Sequence, residues 1–380
     1  MTSLYDLSPL AQMLLIVVGV VVLPIAWIWR RHPTLQARRH ALTVLLLFVT
    51  FDLVVFGAFT RLTDSGLGCP DWPGCYGSSS PLGASQQIDQ ARSAMPGGPV
   101  THSKAWIEML HRYLASGVGA LIVVLTVLAW RQRWLARSAV DSSALAVAGP
   151  WLPTLTLFWV CVQGAFGALT VTMKLYPAIV TLHLLGGLGL LMLLGLQTTR
   201  GNSIAQALPA MPRSLQRYLS LVLLMLVLQV MLGGWVSTNY AVLACQEFPK
   251  CQGQWWPAMD FRQGFEVWRA LGLTASGVPI DFAALTAIHY AHRLMAYLLL
   301  ALLSVSAYGL HRASWRRPAK MLAVLTALQL ITGLSNVVFD WPLAAALLHT
   351  AGAAALALLL TWLVAKSSAP WTVKHVTTLP

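Results

Sequence analysis

The sequence predicts an all-α, polytopic membrane protein with two pseudo-symmetric four-helix transmembrane bundles and one extra N-terminal helix. Three observations predict it. Of 380 residues, 57% are hydrophobic and 10% are charged, against about 25% charged in a soluble domain. Apolar stretches of about 20 residues recur, long enough to cross a bilayer as helices. A cysteine pair, a histidine motif and a glutamine–histidine spacing each occur twice, in the same order.

The mean hydropathy of +0.68 excludes a soluble enzyme, a nucleic-acid reader and a disordered chain. The net charge of +13 does not point to nucleic acid, because the charges sit in short loops beside apolar spans. A membrane β-barrel is excluded too, since the apolar runs are too long and too uniform for alternating strands.

Nine spans are predicted, at 10–29, 41–61, 106–130, 151–171, 178–197, 218–236, 284–310, 321–339 and 343–364. Each is helical because backbone in hydrocarbon must satisfy its own hydrogen bonds. The first span lacks the basic start and the small-residue cleavage site of a signal peptide, so a retained helix is expected. Arg30, Arg31, Arg38 and Arg39 follow it, and Arg131, Arg133 and Arg137 follow the third. Arg200, Arg213 and Arg217, then Arg312, Arg316, Arg317 and Lys320, then Lys366 and Lys374 continue the series on the same side. The positive-inside bias puts these loops in the cytoplasm. The N-terminus with Asp6 and the long loops 62–105 and 237–283 then face outward.

The organisation expected is an extra helix and basic loop at 1–40, a four-helix half at 41–200, a linker at 201–217, a second half at 218–365 and a tail at 366–380. The duplication supports this division. Cys69 and Cys75 enclose five residues, as do Cys245 and Cys251, at an offset of 176. Glu108-x-x-His111-Arg112 matches His289-x-x-His292-Arg293. Gln163 lies 20 residues before His183, and Gln329 lies 20 before His349. Pro177 and Pro342 open the spans carrying those last two histidines. Both halves start and end on the same sides, so the repeat is parallel, about an axis along the membrane normal.

Of ten histidines, His32, His40, His311 and His375 fall in cytoplasmic segments and His102 in an outer loop. His111, His183, His289, His292 and His349 lie within spans, where ionisable groups are costly and face the bundle interior. At 1.5 Å per residue, His111, His183, His292 and His349 sit roughly 8–12 Å below the outer surface. Each half thus offers two imidazoles at one depth, which can ligate a haem iron axially inside a four-helix bundle. A zinc or copper site would want three or four converging ligands. Gly186, Gly187, Gly189 and Gly352 leave room for a flat macrocycle or serve tight helix packing. Arg112 and Arg293 suit haem propionates or snorkel to lipid phosphate.

Glu108 shares a helix face with His111, while its counterpart is His289. One half is therefore expected to react and the other only to bind. Asp52, also inside a span, is open between a proton relay and a structural hydrogen bond. Outside the membrane the four paired cysteines can form disulfides 69–75 and 245–251, as loop staples or, for the first, as a redox-active pair. Cys161 is left over in a span as an inert packed thiol.

The segment Gly66-Leu67-Gly68-Cys69-Pro70-Asp71-Trp72-Pro73-Gly74-Cys75, the motif Glu108-Met109-Leu110-His111-Arg112, and His183, His289-Tyr290-Ala291-His292-Arg293 and His349 resemble the haem A synthase family over roughly 41–364. Those proteins have eight spans in two similar halves, so the first span here is an addition. The resemblance implies oxidation of a ring methyl group of haem O to a formyl group, through a hydroxymethyl intermediate (haem I), for haem A-containing terminal oxidases. It implies haem b (iron) on His292 and His349 with Arg293 beside it, and substrate haem O on His111 and His183. It makes Glu108 the catalytic acid and matches Cys69–Cys75 and Cys245–Cys251 to the family's cysteine pairs. It implies a bacterial inner membrane with the haem sites near the periplasmic face. Haem O synthase, terminal oxidase assembly factors and membrane lipid are the partners expected, with no nucleic acid and with a homo-oligomer left open. The competing reading is a non-catalytic two-haem electron-transfer cytochrome, which four histidine ligands alone would fit.

Overall fold

A computed structural model describes residues 8–137, 149–201 and 209–367. The expectations for Asp6, for 202–208 of the linker, and for Lys374 and His375 lie outside the described residues. The chain forms α1 (Ser8–Arg31), α2 (Leu35–Leu62), α3 (Ser85–Ala94), α4 (His102–Arg137), α5 (Trp151–Thr172) and α6 (Pro177–Gly201). It continues through α7 (Arg213–Thr238), a 3-10 turn (Ala241–Ala244), α8 (Phe261–Gly264), α9 (Phe282–Arg312), α10 (Arg316–Val338) and α11 (Leu343–Ser367). Among the described residues, eight helices are long and apolar enough to cross a membrane: α2, α4, α5, α6, α7, α9, α10 and α11. The protein is a multi-pass membrane bundle.

Helix starts follow local chemistry. Pro33 precedes Thr34, whose Oγ1 accepts from the Ala37 N–H at 3.2 Å and caps α2. Pro177 is the first residue of α6, where its missing N–H costs nothing. α2 and α4 run past the predicted spans 41–61 and 106–130, to 28 and 36 residues. Hydropathy sees only the hydrocarbon-crossing part, whereas the helical hydrogen bonds continue into polar turns. α3 was not predicted, because its polar sequence buries only Ile88.

The packing order positions the site. α2 packs on α4 and α6, and α5 closes the ring against α4 and α6. In the same way α7 packs on α9 and α11, and α10 closes against both. The two groups meet where α6 touches α7 and α11, and where α2 touches α11. One core joins α6, α7, α9, α10 and α11 through Leu191, Leu219, Leu303, Leu322 and Leu360. Another joins α1, α2, α4 and α6 through Val17, Ile28, Leu46, Ile122 and Leu194. Both cores fill the end away from the cysteine loops, so branched side chains lock that end and leave histidines and glycines at the other.

α1 is a 24-residue helix resting on α2 and α4. At the loop end the halves are tied by Arg61. Its Nη2 donates to the Ser237 carbonyl at 2.6 Å and its Nη1 pairs with Asp64 at 3.0 Å. The guanidinium lies 4.1 Å from the Tyr240 ring centre, and the Tyr240 hydroxyl donates to Asp64 at 2.7 Å. In the loop between α7 and α9, Arg269 is 1% exposed. It donates to Asn239 Oδ1 at 2.5 Å, and burial pushes its pKa below the ordinary value, opposed by Glu266.

Cys161 corrects an expectation. It is exposed rather than packed, because α5 turns that side outward, where a small apolar thiol is tolerated.

Leu303→Ala should remove contacts from a core shared by five helices. The helix stays in lipid on unfolding, so the loss should sit at the low end of the cavity range, about 2 kcal/mol. A lowered thermal midpoint of the solubilised protein, compared with an outward-facing Val305→Ala control, checks it.

Candidate functional site

Each ring of four helices carries its span histidines on diagonal members, His111 on α4 with His183 on α6, and His292 on α9 with His349 on α11. Among the described residues the main packing interfaces join neighbours around each ring and not the diagonal helices. The two rings of each pair are within Coulomb reach of each other. A glycine of the neighbouring helix sits under every one of them. A Cβ on Gly57 of α2 would lie 3.0 Å from Cε1 of His111, and one on Gly233 of α7 would lie 3.0 Å from Cε1 of His292. On Gly167 of α5 and Gly333 of α10 it would lie 3.4 and 3.2 Å from Cε1 of His183 and His349. The rings thus rest close against glycines, where a Cβ would crowd His111, His292 and His349 and would only touch His183.

The nitrogens are distinctive. Nδ1 of His111, His183 and His292 is buried with no hydrogen-bond partner. Nδ1 of His349 meets Thr332 Oγ1 at 3.0 Å. Gln329 Nε2 donates to the His349 carbonyl at 3.0 Å, and Gln229 Nε2 donates to the His292 carbonyl at 3.1 Å. Among the described residues no three or more His, Cys, Asp or Glu converge as a metal cluster. Two imidazoles per ring, with buried nitrogens left unpaired, fit an axially ligated haem and not a tetrahedral zinc.

The sequence-predicted glycines do something else. A Cβ on Gly186 or Gly352 would run into the side chain of Gln163 or Gln329, and one on Gly189 would lie 3.1 Å from the Trp159 ring. They admit neighbouring side chains, which is the helix-packing alternative. The four glycines beneath the histidines were missed. Their signal was present, since Gly57 and Gly233 share the 176 offset of the cysteines, and Gly167 and Gly333 share the spacing of the two Gln–His pairs.

Glu108 is 4% exposed. Its Oε1 accepts from Arg112 Nη2 at 2.5 Å and its Oε2 accepts from the Cys69 N–H at 2.8 Å. Arg112 Nη1 donates to the carbonyls of Asp71 at 2.9 Å and Pro73 at 3.2 Å, and also to that of Gly74. Gly68 brings this loop onto α4, where a Cβ would lie 2.5 Å from the Lys104 carbonyl carbon. In the other half His289 replaces the acid. Its Nδ1–H donates to the Ala241 carbonyl at 3.0 Å, and its Nε2 accepts from Arg293 Nε at 3.3 Å. Arg293 Nη1 and Nη2 donate to the carbonyls of Glu247 at 2.9 Å, Lys250 at 3.1 Å and Cys245 at 2.6 Å. The structure thus uses both arginines as clamps on the cysteine loops.

Those loops are closed by disulfides Cys69–Cys75 and Cys245–Cys251. Each ends in a matching turn, with Cys75 bridged to Ser78 and Cys251 to Gln254. Asp71 accepts from the Tyr76 and Gly77 N–H groups at 2.6 and 2.7 Å, and Glu247 accepts from the Gly253 N–H. Of the remaining histidines, His102 meets Asp89 at 2.9 Å.

Residues 40–362 match the COX15-CtaA family, described as cytochrome oxidase assembly protein. The chain belongs to this family. A relative named haem A synthase from Shewanella oneidensis is 38% identical over 323 residues, 84% of this chain and 93% of the relative. Relatives of the same name from Alkalihalophilus pseudofirmus and Mesorhizobium japonicum are 29% and 26% identical, covering 77% and 80% of this chain and 85% and 83% of their own lengths. The matched region of the COX15-CtaA family begins within α2 and takes in all eight membrane-length helices, both cysteine loops and all four diagonal histidines. It leaves α1 outside.

Gly233→Ala should displace the His292 ring and, with haem b on His292 as proposed below, shift the low-spin haem signal by electron paramagnetic resonance, while Gly57→Ala should leave that signal in place. Identical spectra for wild type and Gly233→Ala would remove the glycine's positioning role.

Proposed function

We infer that this protein oxidises the ring methyl group of haem O to a formyl group through a hydroxymethyl intermediate, providing haem A for terminal oxidases. The observation that carries the reading is one turn of α4. There the ligand candidate His111, the acid Glu108 and the disulfide loop meet, in a chain that belongs to the COX15-CtaA family. A two-haem electron carrier would need the histidines but not an acid in one half alone.

In this reading His111 and His183 hold the iron of the substrate, and His292 and His349 hold haem b. Bound haem b supplies reversible one-electron chemistry. The chain supplies everything around it. Thr332 holds Nδ1 of His349 so that Nε2 is the ligating atom. Gln229 and Gln329 fix the backbone beneath His292 and His349. Arg293 keeps one Nη2 hydrogen for a propionate after its contacts to the loop and His289. Glu108 is the catalytic acid, held at the substrate by Arg112 and the Cys69 N–H. Cys69–Cys75 lies within contact of that acid, while Cys245–Cys251 staples the equivalent loop beside haem b.

The two halves, 41–200 and 218–365, are proposed as a parallel duplication. The matching ring order of α2–α4–α5–α6 and α7–α9–α10–α11 supports it. So do the paired glycine seats, arginine clamps and cysteine turns. α1 is proposed as a ninth span within the segment 1–40. Its length, its uncharged body and Arg30 and Arg31 in its last turn support this. The basic loops are assigned to the cytoplasm of a bacterial inner membrane, with the haem sites and disulfides toward the periplasm. Haem O synthase and terminal oxidase assembly factors are the partners this chemistry calls for, in a lipid environment, with self-association as a further proposal.

Glu108→Gln should keep both haem sites yet stop product. Pigments extracted from cells supplied with haem O should then contain no haem A, and unchanged haem A would remove the catalytic role. His349→Ala should abolish the low-spin haem b spectrum of the purified protein, and a persisting spectrum would refute that ligand assignment.

A further inference from the structure

Asp52 is exposed in the middle of α2 and has no hydrogen-bond or ion-pair partner among the described residues. An aspartate at that depth is expensive unless something polar meets it. It faces a shallow, open cleft of about 400 Å³ between α2 and α11, lined by Phe51, Phe56 and Phe59 on one side and Leu347 and Ala351 on the other. The cleft joins the substrate half directly, because the Phe56 ring stacks on His111 at 6.1 Å. Asp52 lies five residues deeper than Gly57, the seat of His111, which is about 7.5 Å along the helix.

The corresponding positions of the other half carry different residues. The 176 offset carries Asp52 to Leu228 and Phe59 to Trp235, and the Gln–His spacing carries Ala351 to Leu185. Trp235 is 7% exposed and donates from Nε1 to the Gly264 carbonyl at 2.9 Å. The two halves share their histidine seats and differ here, in one acid and in one small residue that makes space.

We propose that this cleft holds the hydroxylated isoprenoid chain of the substrate, with Asp52 accepting a hydrogen bond from the chain hydroxyl and the phenylalanines packing the isoprene units. The proposal rests on the haem O reading above. Haem O carries a hydroxyethylfarnesyl chain where haem B carries a vinyl group. The cleft is therefore a specificity device, which admits haem O to the first half and offers nothing to haem B. An aromatic-lined groove with a single acceptor fits a long apolar chain with one donor near its root.

The test uses the full-length, detergent-solubilised protein with its resident haem. Haem O and haem B are added in parallel, followed by Soret absorbance and by extraction of the bound pigment. Wild type should bind haem O about tenfold more tightly than haem B, the scale of one hydrogen bond to a charged group. Asp52→Leu and Ala351→Leu should each lower haem O affinity about tenfold and leave haem B affinity unchanged. Asp52→Asn, which keeps an acceptor oxygen, should retain most of the preference. An unchanged low-spin signal from the second half reports intact folding. Variants that bind both haems as wild type does, or that lose both equally, overturn the proposal. Equal competition by an isoprenoid quinol against both haems also overturns it, and assigns the cleft to a membrane quinol. A wild-type protein that binds neither added haem refutes the haem O reading itself, a result distinct from the others.

Discussion

A guanidinium one residue beyond a ligand candidate organises each half of this protein. Arg112 gathers the carbonyls of the 69–75 loop and the carboxylate of Glu108. Arg293 gathers the carbonyls of the 245–251 loop and the imidazole of His289. A charge at that depth is stable only when its donors are used, and peptide carbonyls at a turn supply acceptors without an opposing full charge. The loop is thus bound to the same helix turn that carries His111 or His292. Disulfide, acid or imidazole, and haem-ligand candidate form one rigid unit, so a shift of the loop is a shift of the site.

Below that unit, packing divides the bundle by side-chain size. Leucine-rich cores lock the end away from the loops. Toward the loops, each histidine ring occupies the space above a glycine on the next helix. Glycine there contributes little attraction, but at Gly57, Gly233 and Gly333 it gives the ring room that a Cβ would take. Diagonal helices carry the paired rings and their neighbours carry the seats. All four helices of each half are needed for one pair.

In the proposed duplication, the differences between the two four-helix groups are informative. Glu108 against His289 changes what the arginine clamp holds. Asp52 against Leu228 and Ala351 against Leu185 change what can enter from the side. Glu108 and Asp52 belong to the half proposed to receive the substrate, Ala351 faces Asp52 across the seam from α11, and at the position matching Phe59 the other half carries Trp235, which bonds to Gly264 of α8. The proposed duplication, with an acid gained on α2 and a hollow left at its seam with α11, accounts for this pattern.

Hydropathy alone determined the membrane class and all eight membrane-length helices, because hydrocarbon penalises polar backbone whatever the tertiary arrangement. Internal repetition made the paired histidines, the Glu108/His289 contrast and both disulfides legible, since those residues recur at fixed offsets. The rest depended on distance between helices. Arg112 and Arg293 read as anion or headgroup contacts, yet they turn toward loops some 40 residues away in sequence, and only the folded chain brings those carbonyls within reach. Gly186 and Gly352 looked like space for a macrocycle but accommodate glutamines, while Gly57, Gly167, Gly233 and Gly333 drew no notice because nothing local marks a glycine as facing a histidine on another helix. The sequence by itself determined which residue types enter the membrane and how often. Only the tertiary structure decided what each one touches, because helix rotation and crossing are set by side-chain packing between segments that share no local signal.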